Sequence, residues 1–282
     1  MRDQLFELVR YRELIKLLTI RDVKLRYKDS LLGFLWSLIN PLLMMLVYYI
    51  VFVVLLPTSA PVGCSESAVS PDQVQSAINC KIYNHFAAFI LIGILAWNFT
   101  ASSVMGGMGA LLDNGSIIKK IYFPREVLPV SMVLAQLVNF MLALVPLFLV
   151  ILLSGLSIGG YIILLPVILF FHMLFLAGLA MLLAVVTLYF RDMRVIMEVL
   201  LQAWFFLSPV IYSMYQVYKD GTAVVYWLNP MASFIESYRT ILFFNYPPDL
   251  LFTLRTCLSG VIVFVIGYAF FMRQRGRIGE LI

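Results

Sequence analysis

The sequence predicts an all-α integral membrane protein. Six transmembrane helices, an amphipathic interface helix at the N-terminus and a re-entrant helical region before the last span are expected. Three observations carry this. Of 282 residues, 62% are hydrophobic and only 12% charged, against roughly 45–50% and roughly 25% in soluble domains. Runs without Asp, Glu, Lys or Arg cover 30–65, 82–112, 127–190, 199–218 and 256–272, and about 20 apolar residues suffice to cross the hydrocarbon core. The basic residues, finally, are distributed unevenly between the segments that join these runs.

The elements follow in chain order. In 3–20, Leu5, Leu8, Tyr11, Ile15 and Leu18 recur at spacings of three and four, while Asp3, Glu7, Arg10 and Glu13 fall largely opposite. This is an amphipathic helix of a kind that lies in the membrane interface or packs on a soluble partner. The first 30 residues carry charges throughout and no apolar h-region, so no cleavable signal peptide is expected. The basic stretch "RDVKLRYKDS" then runs straight into the first span, 31–56. Gly33, Trp36 and Asn40-Pro41 are out of place in a plain anchor, because Gly and Pro weaken a helix unless packing uses the space.

The outer loop 57–84 is polar, with Pro57, Pro61 and Pro71, and reads as a small ordered cap. Cys64 and Cys80 both lie in it, in a compartment where disulfides persist. A Cys64–Cys80 bond is expected over two unrelated free thiols, and would contribute about 3 kcal/mol. The second span is 86–112. The 64-residue run 127–190 is long enough for two spans, 127–153 and 161–188, with "SGLSIGG" (154–160) as the hairpin between them. The fifth span is 197–218. The segment that follows, 219–252, is apolar but contains Pro230, Glu236 and Arg239. A full crossing here would put the C-terminal "RQRGRIG" on the wrong side, so a re-entrant pair of short helices broken near Asn229-Pro230 is expected. Irregular backbone at membrane depth survives only inside protein or beside a wet cavity, which argues for transport. The sixth span is 253–272.

Lys and Arg set the orientation. Segments 1–30, 113–126, 189–198 and 273–282 hold eight, three, two and three of the 20 basic residues; the other side keeps Lys81, Lys219, Arg239 and Arg255. Both termini are thus expected in the cytoplasm. The net charge of +5 is topological, and no nucleic-acid partner is expected.

Catalytic signals are missing. No Gly precedes a Lys, so there is no phosphate-binding P-loop, and neither HExxH, CxxC nor GxSxG occurs. His85 and His172 are isolated, and His172 reads as a hydrogen-bonded core residue rather than a ligand. Glu198 lies near the inner edge and Glu236 in the outer region, so no mid-span carboxylate offers a proton relay. No metal site and no cofactor are expected in this chain. An integral-membrane enzyme acting on lipid-linked sugars would need clustered acids at one face, which are not found. The turns "DNGSIIKKIYFPRE" (113–126) and "YFRDMR" (189–194) combine aromatics with paired charges. Either turn alone also reads as a solvated loop; together with the N-terminal helix they are expected to form a docking surface for a cytoplasmic partner.

Five stretches, "RDVKLRYKDSLLGFLWSLINPLL", "IIKKIYFPREVLPVS", "LYFRDMR", "LSPVIYS" and "LNPMASFIESYR", together resemble the permease subunits of type-2 ABC exporters of polysaccharides and polyol-phosphate polymers, the O-antigen and teichoic-acid exporters. The resemblance spans nearly the whole chain and implies a single transmembrane domain over 1–282. It further implies a homodimer in the bacterial inner membrane, two separate ABC ATPase subunits that bind ATP and magnesium, and a lipid-linked glycan as substrate. A capsular-polysaccharide or drug exporter of the same superfamily is the alternative.

By this resemblance Lys119, Lys120, Arg125 and Glu126 are gate and coupling residues, with a second ATPase contact through Phe190, Arg191 and Asp192. Arg21, Lys24, Arg26 and Lys28 are candidates for the substrate pyrophosphate, since Lys and Arg bind phosphate; the plainer reading is that they hold topology. The first and fifth spans line the family's pathway. The aromatics there are Trp36, Tyr48, Tyr49 and Phe52, and Trp204, Phe205, Tyr212 and Tyr215. Rings stack on sugar faces without demanding one hydrogen-bond pattern, as they do on bases, although Trp and Tyr near span ends also serve as interface anchors. The long, cysteine-bearing outer loop departs from a minimal member. A direct check on that loop is the non-reducing mobility of Cys64→Ser: a shift from wild type is expected, and identical migration speaks against the bond.

Overall fold

The computed structural model describes residues 11–28, 30–55, 74–120, 123–214 and 228–281. Among these the fold is helical, without strands. In chain order the helices are α1 (Arg12–Tyr27), α2 (Trp36–Tyr49), α3 (Val74–Asn84), α4 (Phe86–Gly109), α5 (Gly115–Lys120), α6 (Val127–Leu153), α7 (Leu165–Tyr189), α8 (Met193–Leu207), α9 (Pro230–Arg239), α10 (Leu250–Gln274) and α11 (Ile278–Leu281).

Among the described residues, four helical segments are long and apolar enough to cross a membrane: α4, α6, α7 with its 3-10 lead-in (Gly160–Tyr189), and α10. The expected first and fifth spans are shorter than the apolar runs that encode them. A turn at Gly33 (φ +49°) and a 3-10 segment delay the start of α2, and a π-helical segment, Ile50–Leu55, prolongs it. α8 is 15 residues long and stops at Ser208-Pro209, where Ser208 turns to extended backbone. The hairpin falls where the sequence places it, with Gly155 in the left-handed region at φ +73°.

α4 is the central helix. Seventeen of its 24 residues are buried, and α6, α7, α2, α9 and α8 all pack on it. α10 lies at the periphery, with five of 25 residues buried and Leu254, Leu258, Ile262 and Ile266 exposed. It packs along α7. The approach is close enough that a Cβ on Gly178 would overlap the backbone of Val263 and Phe264, and one on Gly267 the backbone of Gly178. In a bilayer, where lipid is as apolar as Leu, such small-residue contact is what drives helices together.

Two apolar clusters organise the bundle. The larger joins α4, α6, α7 and α9 through residues such as Phe89, Leu91, Phe140, Phe175 and Phe234. The second lies at the end where the basic segments gather, and joins Leu18 of α1, Leu111, Val127, Leu128, Leu188, Phe271 and Ile278. The N-terminal helix differs from its expected span of 3–20. Residues 1–10 lie outside the description, and the helix continues through the basic stretch to Tyr27, packed against α6. Lys24 and Arg26 sit in its last turn, where the helix dipole favours cations. Gly178→Leu or Gly267→Leu should force α7 and α10 apart at an overpacking cost of about 1–3 kcal/mol or more. The readout is a lowered unfolding midpoint in detergent, with Ile262→Leu on the exposed side leaving it unchanged.

Candidate functional site

At the basic end, three separate segments meet on one dipeptide. Arg21 of α1 donates to Asp22 Oδ1 (2.7 and 2.9 Å) and to Asn114 Oδ1 at 2.8 Å. Asn114 donates in turn to Ala110 O at 2.9 Å, closing the α4 terminus. Its neighbour Asp113 accepts from Arg194 Nη2 at 2.8 Å, at the start of α8. The Asp113–Arg194 pair is partly exposed, so it contributes at most about 1 kcal/mol to stability. Its effect is to hold the two turns in register.

The predicted coupling residues divide. Lys119, Lys120 and Arg125 line a cavity of ≈ 640 Å³ together with Ile118, Phe123, Arg275 and Gly276. Arg125 donates to Arg275 O at 2.9 Å. Glu126 is fully buried and faces Arg275 at 3.8 Å, so it points into the protein rather than onto the docking surface. Phe190, Arg191 and Asp192 form an exposed turn between α7 and α8. Sequence reasoning did not single out Asp113, Asn114, Arg194 or Arg275. The Asp-Asn pair preceding Gly115 is the one signal for the first two.

The aromatic candidates converge in part. Tyr48 stacks on Phe52 (6.3 Å) and on Phe205 (6.4 Å), Phe52 meets Phe86 (6.3 Å), and Trp97 meets Phe205 (5.6 Å) and Trp204 (5.8 Å). A line of rings therefore joins α2, α4 and α8. Tyr49 lies outside it, exposed. Tyr212 donates to Phe206 O at 3.1 Å, and Tyr215 lies outside the described residues. Trp97 was missed because it sits in an unbroken apolar run. Cys80 is buried in α3; Cys64, and with it the expected bond, lies outside the description.

The break after α8 is held by Arg239, which the sequence reading counted among the outer basic residues, and by Asn229, where it expected the re-entrant pair to break. Arg239, fully buried, donates to Pro209 O (2.5 Å), Val210 O (2.7 Å) and Tyr212 O (3.0 Å), and lies 3.7 Å over the Phe89 ring. Asn229 accepts from Met231 N (3.0 Å) and Trp204 Nε1 (2.9 Å) and donates to Leu207 O (3.1 Å) and Ser208 Oγ (2.9 Å). The end of α8 and the start of α9 are thus tied together. His172 is a core residue as expected, bonded to Thr100 (3.0 Å) and Tyr238 (3.1 Å) and stacked on Phe234.

A cleft of ≈ 490 Å³ opens between the α1–α2 junction and helices α4 and α6. It is lined by Arg26, Ser30, Trp36, Ser37, Asn40, Asn98, Ser102, Gln136 and Asn139, with Met44, Phe99 and Phe140 among its apolar walls. Of the four basic candidates, Arg26 alone lines it; Arg21 is engaged at Asn114, and Lys24 and Lys28 are exposed.

A family model for ABC-2 type transporters matches residues 13–243. The chain belongs to that family. The match takes in the cleft, the aromatic line and Arg239, and stops short of α10. The chain is also similar to the O-antigen export system permease protein RfbA of Myxococcus xanthus, at 34% identity over 86% of this chain and 85% of the relative. Two proteins of the same name from Klebsiella pneumoniae are 26% and 25% identical, each over 96% of this chain and 95% of theirs. ABC-2 members are transporter subunits, and this chain is a multi-pass membrane protein of that kind. Within it, Arg239→Gln should strand three backbone carbonyls, at a cost on the order of 2–5 kcal/mol. The check is a lowered unfolding midpoint that Arg239→Lys fails to restore, because an ammonium lacks the planar fork.

Proposed function

We propose that this chain is the permease subunit of an ATP-driven exporter that moves a lipid-linked, O-antigen-like or teichoic-acid-like polymer across the bacterial cytoplasmic membrane. The observation that carries the reading is end-to-end similarity to relatives named as O-antigen export permeases, over 96% of this chain.

The working unit is a homodimer with two ABC ATPase subunits beneath it. Six crossings place both termini in the cytoplasm: α2, α4, α6, α7, α8 with the residues that follow, and α10. Clustering of α1, the 113–126 turn, the 191–194 turn and the C-terminal segment at one end supports this topology. α9, at 10 residues, is about 15 Å long, which suits a re-entrant element rather than a span. α8 buries one of its 15 residues, Leu201, and its exposed Val199, Leu200, Phe206 and Leu207 suit lipid or a second copy. The aromatic line supplies a path that grips sugar faces without reading sequence.

ATP binding closes the ATPases, and the movement enters through the exposed turns. Asp113 and Asn114 spread it, because α1 and α8 are both bonded to that dipeptide. The test uses the assembled complex. Arg191→Glu and Asp192→Arg should each keep ATP turnover while lowering polymer export several-fold. Asp113→Arg and Arg194→Asp should behave likewise, and the double exchange should recover most of the loss. Full export in all four single variants would remove both turns from coupling.

A further inference from the structure

We infer that the cleft between α1, α2, α4 and α6 is a docking site for the lipid-proximal, phosphate-linked sugar of the substrate, used before the polymer enters the aromatic line. This rests on the exporter reading.

The lining is polar beside helices that are otherwise apolar. Amides and hydroxyls from three helices face one space: Asn40 and Ser37 from α2, Asn98 and Ser102 from α4, and Gln136 and Asn139 from α6. Polar groups inside a membrane are costly and are retained where something uses them. Gln136 Oε1 accepts from both Arg26 and Asn139, so its orientation is fixed. Asn40, Asn98 and Ser102 make no hydrogen bond to another described residue. Uncharged amides both donate and accept, which matches the hydroxyls of a sugar. Arg26 at the rim offers the guanidinium fork that suits a phosphate, and the half-exposed Trp36 ring offers a stacking face.

Size and placement narrow the ligand. A volume of ≈ 490 Å³ falls in the range of small-molecule sites and cannot enclose a polymer, so it takes the end unit. Leu43, Met44, Leu46 and Val47 are exposed on α2 beside it, an apolar exit for the lipid chain. Trp36, Asn40, Met44, Tyr48 and Phe52 recur every four residues along α2 and its π-helical continuation. The first three line the cleft and the last two begin the aromatic line. One winding stripe connects dock to path. A phospholipid headgroup shares the phosphate and hydroxyl chemistry, and the experiment separates the two.

The experiment measures equilibrium binding of a labelled polyprenyl-diphosphate-linked monosaccharide to the permease–ATPase complex in detergent, with excess phosphatidylglycerol as competitor. Wild type should bind and resist displacement. Ser102→Trp, which fills the cleft, and Asn98→Ala, which removes an amide without disturbing a bond, should each weaken binding at least tenfold while ATP turnover persists. Wild-type affinity in Asn98→Ala and Ser102→Trp overturns the site and leaves the exporter reading standing. Equal displacement by phosphatidylglycerol overturns the sugar assignment. No binding of the probe by wild type overturns the site, and the exporter reading is then decided separately by polymer export from the same complex.

Discussion

The constraint on which the rest of the structure depends is the absence of water at membrane depth. Every backbone amide and polar side chain there must be satisfied by the protein or used by a ligand. α4 shows what that requires. It is enclosed on most sides: Thr100 bonds His172, Gly93 leaves the room that Arg239 and Val210 occupy, and Asn98 and Ser102 face the cleft. Where the chain abandons helix after α8, the carbonyls released at Pro209, Val210 and Tyr212 are taken up by one buried guanidinium. Irregular backbone is therefore stable in the place where a transporter needs a break.

The same constraint divides the labour of the molecule. A scaffold of α4, α6, α7 and α10 is held by close small-residue contact, as at Gly178 and Gly267. Against it lie shorter, more exposed helices, α2 and α8, which carry the aromatic line. At the basic end, bonds to Asp113 and Asn114 tie α1 and the start of α8 to the end of α4. In the proposed mechanism a push at that end would enter α1 and α8 through these polar contacts, while packing holds the scaffold.

Much of this was legible in the sequence, for a physical reason. Charge-free runs and the Lys/Arg bias report the solvent each segment sees, so α4, α6, α7, α10 and the hairpin at 154–160 fall where the pattern puts them. The ends of α2 and α8 did not follow, because hydropathy says which residues suit lipid and not where the helix stops; Gly33 and Ser208-Pro209 decide that. The aromatics Tyr48, Phe52, Trp204 and Phe205 could be proposed because they are rich in two segments. Arg239 looked like one more charge on the outer side, and its partners are carbonyls, which no sequence pattern displays. Asn98, Gln136 and Asn139 stand singly in apolar runs, and only the packing of three helices brings them to one cleft.

The central claim is that this chain is the passage and a separate ATPase is the engine. Reconstitution into proteoliposomes loaded with lipid-linked polymer tests it most directly, with and without the ABC ATPase subunit. The account predicts no ATP hydrolysis and no polymer transfer by the chain alone, and both when the two subunits are combined. ATP hydrolysis by the purified chain, or a combined complex that turns over ATP without moving polymer between leaflets, would contradict it.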